Sequence, residues 1–364
     1  MNDVSKVQDK SDGKEVEIVS FDIEGLPHSS FFSEVGGCIL TFGVFDGLIP
    51  GQQNILKHVQ KRARELNTVS VALIFRPRPV ETRGTIPVPY LTAQDETIRL
   101  IKALGIDYVG TLNFTKEIAV MPADQFLAQL HQQLLPRELW LGPKAQIGQG
   151  ALGEISSVKG IAEELGFQIQ VFKEEITSTW KDTFYYAFDR KEVESAEQYL
   201  GRAYRLPAYL TQPFTVDHSL GAMKQFRAVT PDLLYIPPDG DYLVKIHAAG
   251  LDDLPPSPLF QSDYGMLSIT TSRIPNARPR AVLTSHAHPG WLERFVYLEF
   301  VRAITFSLQQ RWQAIVDYCG TWEAHEETSE DNEELLDPVD SNKAQDVIST
   351  FLKFGHKKTP KMYL

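Results

Sequence analysis

The 364-residue chain has only two cysteines, Cys38 and Cys319, and neither sits in a CxxC pair. That excludes a disulfide framework and a cysteine-rich zinc site, and it leaves Cys38, inside GGCILTF, as a core residue. Long apolar runs are missing as well. No stretch of about 18 apolar residues occurs, and the first twenty residues, MNDVSKVQDKSDGKEVEIVS, lack the apolar run of a signal peptide. These absences predict a cytoplasmic protein with no membrane partner. Positive charge is scarce: 36 Lys and Arg stand against 47 Asp and Glu, for a net charge of −11. A surface that must replace counterions condensed on nucleic acid needs the opposite balance, so nucleic-acid partners are excluded. No internal repeat is present.

What the sequence does have is length and apolar content. At 43% hydrophobic residues it can bury a sizeable core, and its length suggests two domains. From Gly37 onward, continuous apolar runs alternate with helix-like ones: GGCILTFGVF, QQNILKHVQKRARELN, VSVALIF, TAQDETIRLIKALG, DYVGTLNF, PADQFLAQLHQQLL, ELWLG, a helix over residues 152–165, and FQIQVF. Strands apolar on both faces and separated by helices predict a parallel, doubly wound α/β sheet. Beyond Leu200 the helical period gives way to short strand candidates between proline-rich turns, such as DYLVKIHA, GMLSITTS, RAVLTSH and RFVYLEFVRAI. These predict a small antiparallel β-barrel, closed by a helix over Phe300–Val316. The expected organisation is a polar tail over 1–15, an α/β domain over 16–198, the barrel over 199–322 and an acidic tail over 323–364. In that tail EAHEETSEDNEELLD, Glu323 to Asp337, reads as solvated and mobile, a place where a protein partner could engage.

FGVFDGLIPGQQNIL, Phe42 to Leu56, reads as a strand end, a glycine-rich turn and a helix opening at Gln52 or Gln53. Gly43, Gly47 and Gly51 let backbone approach a phosphate, and a helix N-terminus adds free N–H groups and a positive dipole end. The plainer reading is a strand-to-helix turn punctuated by Pro50 and Gly51.

The residues of this turn resemble the first motif of the bifunctional riboflavin kinase/FAD synthetases, in which an FDG turn precedes an H-x-G-H nucleotide signature. FRPRP, Phe75 to Pro79, resembles that family's Phe-acid-Pro-His-Pro segment, and Leu91–Leu127 is similar to its middle. ITSTWKD, Ile176 to Asp182, stands where the family has Ser-Ser-Thr-x-Ile-Arg, and YLGRAY, Tyr199 to Tyr204, resembles the junction into its kinase barrel. The resemblance covers about Val16 to Phe306. It implies a Rossmann-like nucleotidyltransferase domain followed by a riboflavin-kinase-like barrel. The implied activity is adenylyl transfer from ATP, with Mg²⁺, to FMN, giving FAD. A catalytically degenerate flavin- or nucleotide-binding relative, or a protein-interaction relative, remains the alternative.

The departures from the pattern bear on that choice. Ile49 and Gln52 stand for the two histidines, Trp180 and Asp182 for the arginines of the Ser-Ser-Thr motif, and LGPKAQIG puts Lys144, Ala145 and Ile147 in place of an acid and two aromatics of the flavin segment. In the barrel, Pro-Thr-Ala-Asn is matched by Val229, Thr230, Pro231 and Asp232, and the catalytic glutamate falls at or near Arg280. The resemblance therefore implies Gln52, Ser178 and Thr179 as catalytic candidates. Nucleotide contacts fall on Gly43, Phe45, Asp46, Gly47, Gly51, Arg76 and Arg78, and flavin or metal contacts in the barrel on Thr230 and Asp232. Arg76 and Arg78 either replace the missing cations or lie solvated in a loop, and Ser178 and Thr179 either contact phosphate or cap a helix. His286 and His288 in SHAHPG have metal-compatible spacing, but the favoured reading is a polar loop beside Pro289.

Overall fold

The structure is a computed structural model that describes residues 21–82, 89–143, 145–148, 155–172, 180–217, 223–231, 233–248, 263–270, 279–286 and 295–304. The chain divides into two compact units. One holds Met1–Pro87 with Ile98–Ile176, and the other Val88–Thr97 with Thr177–Leu364.

The first unit is built on a six-stranded sheet. In chain order its strands are β1 (Ile23–Glu24), β2 (Cys38–Gly43), β3 (Val69–Arg76), β4 (Tyr108–Asn113), β5 (Pro136–Leu141) and β6 (Gln168–Val171). Their order in the sheet is β1-β4-β3-β2-β5-β6. All neighbours are parallel except the short edge strand β1, which runs antiparallel to β4. The chain first winds from β2 outward to β4 and then returns to the other side of β2, so the topological switch lies between β2 and β5, where such sheets bind ligands at their carboxyl ends. The helices between the strands are α1 (Ser29–Glu34), α2 (Pro50–Glu65), α3 (Pro79–Thr82), α4 (Gln94–Ala103), α5 (Lys116–Ala119), α6 (Ala123–Leu134) and α7 (Ile155–Glu164).

Alternation along β2 and β3 explains the two cores. Ile39, Ala72 and Ile74 point to one face and pack with Leu56, Val59 and Ala63 of α2. Cys38, Leu40, Val71, Leu73 and Phe75 point to the other and pack with Phe126, Leu127 and Leu130 of α6. Both faces are covered, which is why the strand sequences read as unbroken apolar runs.

The second unit contains α8 (Trp180–Asp189), α9 (Val193–Leu200) and six strands: β7 (Arg205–Asp217), β8 (Met223–Val229), β9 (Gly240–Ala248), β10 (Asp263–Thr270), β11 (Arg280–His286) and β12 (Phe295–Ile304). They close into an antiparallel barrel, β10-β11-β8-β7-β12-β9. Leu206, Phe226, Val244, Leu267, Leu283 and Leu298 from the six strands are fully buried.

Three expectations are corrected here. The closing helix over Phe300–Val316 is strand as far as Ile304, with Phe300 paired to Val244 and Ile304 to Asp241; residues 305–316 lie outside the described residues. The division between the units falls at residue 176 rather than near Tyr199. The cause is aromatic packing: Phe184 and Phe188 of α8 lie against Tyr204 at 5.7 and 5.2 Å, and Phe188 also meets Phe300. Third, residues 88–97 belong to the second unit, because Tyr90 bridges Leu234, Arg202 donates to Thr92 and Tyr297 donates to Asp95.

Among the described residues, no helix is long and apolar enough to cross a membrane. The tails 1–15 and 323–364, Cys319, Ser178, Thr179, Asp232, Lys144 and His288 lie outside the described residues.

Candidate functional site: the turn after β2

β2 ends at Gly43, level with Ile74 of β3, and the chain then makes a compact turn into α2. Phe45, Gly47 and Leu48 adopt left-handed backbone, with φ of 48°, 82° and 42°. Glycine takes this conformation freely. Phe and Leu do so at a cost of order 1–3 kcal/mol each, strain that concentrates at ligand sites. Burial supplies the restraint: Phe45, Asp46, Leu48 and Ile49 are all less than 5% exposed, and Phe45 and Leu48 are part of the core under α2.

The helix starts earlier than its sequence suggests. Ile49 is the N-cap and Pro50 the first helical residue, where proline lacks an N–H that would in any case have no helical partner. Gln52 is turned back on the cap, its Oε1 accepting the Ile49 N–H at 3.1 Å. Its Nε2 hydrogens are the donors it can offer a ligand. Gln53 Nε2 donates to Leu48 O at 2.9 Å, and Gln53 N–H closes the first helical bond to Ile49 O. The turn thus presents glycine backbone and the helix's first N–H groups, while Ile49 is an apolar plug.

Of the two cations of FRPRP, Arg78 is placed most clearly. β3 runs beside β2 and ends at Arg76; two residues on, the Arg78 guanidinium reaches the turn and binds Asp46 Oδ2 at 2.6 Å, with both side chains at most 5% exposed. Its other terminal nitrogen lies 3.5 Å from Glu81 Oε1, and its backbone N–H donates to Glu81 Oε2. Arg78 is therefore no solvated loop charge. Its charge is held between two carboxylates. Arg76 is partly buried at the end of β3.

On the opposite face of the same strand ends lies a cavity of about 50 Å³, lined by Phe42, Phe75, Pro79, Phe114, Ile118, Ala119, Phe126 and residues 146–148. That is room for a few waters. Phe42 and Phe75 stack at 5.0 Å with 23° between planes, Phe114 continues the row at 5.2 Å from Phe75, and Phe126 stands edge-on to Phe42. Gly148 closes the floor with φ +86°, and a Cβ there would lie 2.8 Å from Ala123 N, so only glycine fits. Sequence reading had singled out Ile147, but not the phenylalanines. The available signal was an aromatic at or just past the carboxyl end of three successive strands.

Behind the turn, α2 is fixed to β5. Arg62 binds both oxygens of Glu138, Trp140 Nε1 donates to the same carboxylate at 2.8 Å, and His58 packs on Trp140 at 4.1 Å. Burial would raise the Glu138 pKa, but these hydrogen bonds outweigh it and hold the group below the usual carboxylate range.

In the barrel, Thr230 is buried just past β8, and Arg280 is exposed at the first position of β11. Among the described residues, no group of three or more His, Cys, Asp or Glu could hold a metal ion.

Residues 32–180 match the family model described as FAD synthetase. Among curated proteins, the chain is 31% identical over 135 residues to the bifunctional riboflavin kinase/FMN adenylyltransferase of Escherichia coli (strain K12), a match covering 36% of this chain and 43% of that protein. It is 28% identical to the Haemophilus influenzae protein of the same name, covering 47% and 57%, and 26% identical to that of Pseudomonas fluorescens, covering 59% and 70%. The match thus spans less than two thirds of the first two relatives. Among solved structures, one titled macrolide-efflux protein from Streptococcus pneumoniae superposes with a TM-score of 0.63 at 18% identity, covering 79% of this chain and 95% of that one. At that identity the likeness speaks for the fold alone.

Proposed function

We propose, for a chain whose residues 32–180 are a domain of the FAD synthetase family, that it binds FMN and MgATP at the end of β2 and β3 and transfers the adenylyl group only slowly. The flavin ring system enters the phenylalanine cavity, and the ATP phosphates lie over Gly43–Gly51. The observation that supports the slow rate is how the described residues of the turn and Arg78 are engaged. Ile49 is buried, the Gln52 oxygen is committed to the helix cap, and Arg78 is clamped by Asp46 and Glu81.

In-line attack of the FMN phosphate on the α-phosphate of ATP, with pyrophosphate leaving, is accelerated by donors that tighten as charge develops. Losing one such donor costs on the order of 10² to 10³ in rate, and several losses at one site are not additive. A combined loss of about 10⁴ from a typical turnover of about 10 s⁻¹ leaves roughly 10⁻³ s⁻¹. Mg²⁺ arrives with ATP as part of the substrate. A cavity of about 50 Å³ does not hold three fused rings as it stands, so flavin binding requires its lining residues to move.

The deciding experiment is incubation of the pure protein with FMN, Mg²⁺ and labelled ATP, followed by separation of FAD. Turnover near 10⁻³ s⁻¹ supports the reading; turnover near 10 s⁻¹ overturns its kinetic half, and no FMN or ATP binding by calorimetry overturns it whole. Riboflavin kinase activity is proposed to be absent, since an exposed Arg280 stands where the resemblance places the general-base glutamate. ATP-dependent formation of FMN from riboflavin at an ordinary enzymatic rate would refute that.

A further inference from the structure

Arg78 was a candidate phosphate ligand by its position, yet its geometry gives it another task. We infer that Arg78 is a positioning residue for the turn: it holds Asp46 in place, fixes the left-handed run of Phe45, Gly47 and Leu48, and cancels the carboxylate charge that would otherwise face an anionic ligand. The ligand half of this inference rests on the reading that the turn receives phosphate. The positioning half rests only on the ion pair.

Three features of the structure carry it. The pair is short and buried on both sides, at 2.6 Å with 5% and 1% exposure, so Arg78 would have to break a buried ion pair to reach out to a phosphate. Asp46 sits between Phe45 and Gly47, both in left-handed backbone, so the side chain held by Arg78 lies within that left-handed run. And Arg78 is itself anchored from behind, its N–H on Glu81 Oε2 and its C=O accepting from Glu81 N–H at 2.9 Å. The guanidinium is a fixed post to which the turn is tied. Arginine suits this better than lysine, because its planar fork can serve both carboxylates at once.

A double-mutant cycle separates this role from direct phosphate contact. Wild type, Arg78→Met, Asp46→Asn and the double variant are compared for MgATP affinity by calorimetry, for inorganic pyrophosphate affinity, and for thermal midpoint, with Arg78→Lys as the conservative check. Arg78→Met is expected to weaken MgATP binding at least tenfold, and the double variant to regain most of that loss, because the carboxylate charge left behind by the single change is gone. The midpoint should follow the same pattern, and Arg78→Lys should fall between wild type and Arg78→Met. A double variant as weak as Arg78→Met would make Arg78 a phosphate ligand and overturn the inference. Should wild type bind neither MgATP nor pyrophosphate, the functional reading fails on its own. The positioning role is then decided by the midpoints, where additive losses from the two single changes would overturn it and a recovered double variant would sustain it.

Discussion

The two sides of the crevice at the end of β2 are built from different things. On the α6 side, Phe42, Phe75, Phe114 and Phe126 make an apolar cavity from four separate elements. On the α2 side, a glycine-containing turn in left-handed backbone holds Ile49 and Gln52 where the resembling family has histidines. The phenylalanines are also core: Phe75, Phe114 and Phe126 are each less than 8% exposed and belong to the cluster under α6. Changing them would damage folding. Donors at the turn serve a ligand rather than the core under α6, so catalytic capacity and fold depend on different residues.

The sharpest test of that contrast is to restore the lost donors. Ile49→His with Gln52→His is expected to raise FMN adenylylation by roughly 10²-fold or more, since each donor is worth about that much in rate, with a smaller change in ATP affinity. The same change removes a 3%-exposed Ile and the Gln52 contact to the cap, so the thermal midpoint should fall, by the equivalent of about 1–2 kcal/mol. Unchanged turnover alongside intact binding would show that the turn does not limit the rate.

The cavity side should answer in the opposite currency. Phe126→Ala is expected to destabilise the protein by about 3–5 kcal/mol and to weaken FMN binding while leaving MgATP binding of the folded fraction nearly as it was. Denaturant unfolding together with calorimetry for the two ligands checks this. Equal loss of both affinities would merge the two sides into one site.

How much of this was legible follows from what each feature depends on. The parallel sheet was legible because burial on both faces writes itself into unbroken runs such as VSVALIF, and the FDG turn because glycine at 47 is the cheapest route through positive φ. The strand end at Ile304 was not, since RFVYLEFVRAI followed by further apolar residues fits a buried strand and a helix alike. Nor was the clamp on Arg78. Asp46 and Arg78 are 32 positions apart and meet only because β2 and β3 are parallel neighbours of fixed register. The passage of 88–97 to the second unit was hidden for the same reason: its partners, Leu234, Arg202 and Tyr297, lie more than 100 residues downstream.

That second unit holds a comparable ion-pair group, and it supplies the smallest predicted effect. On the barrel exterior, Arg205 Nε and NH2 bind Glu299 Oε2 at 2.8 Å, His247 Nε2 lies 3.0 Å from the same oxygen, and Arg205 NH1 is 3.7 Å from buried Glu96. The His247 imidazole beside it, helped by Arg205 and opposed by burial, pulls the Glu299 pKa down to about 2. A carboxyl whose folded pKa is depressed binds its proton more readily in the unfolded chain, where the value is about 4.3. Its stabilising contribution is therefore complete above that value and is lost as pH falls from about 4.3 toward 2. Neighbouring Asp95 has the reverse sign, because burial raises its pKa; its ionisation costs stability as pH rises, which partly offsets the Glu299 effect. Glu299→Gln should thus flatten the acid limb of a stability-against-pH curve between about pH 2 and 4.3, while leaving FMN and MgATP affinities at neutral pH untouched. An acid limb as steep in Glu299→Gln as in wild type would mean that the Arg205–Glu299–His247 group adds no pH-dependent stability, and that its carboxylate is as well solvated folded as unfolded.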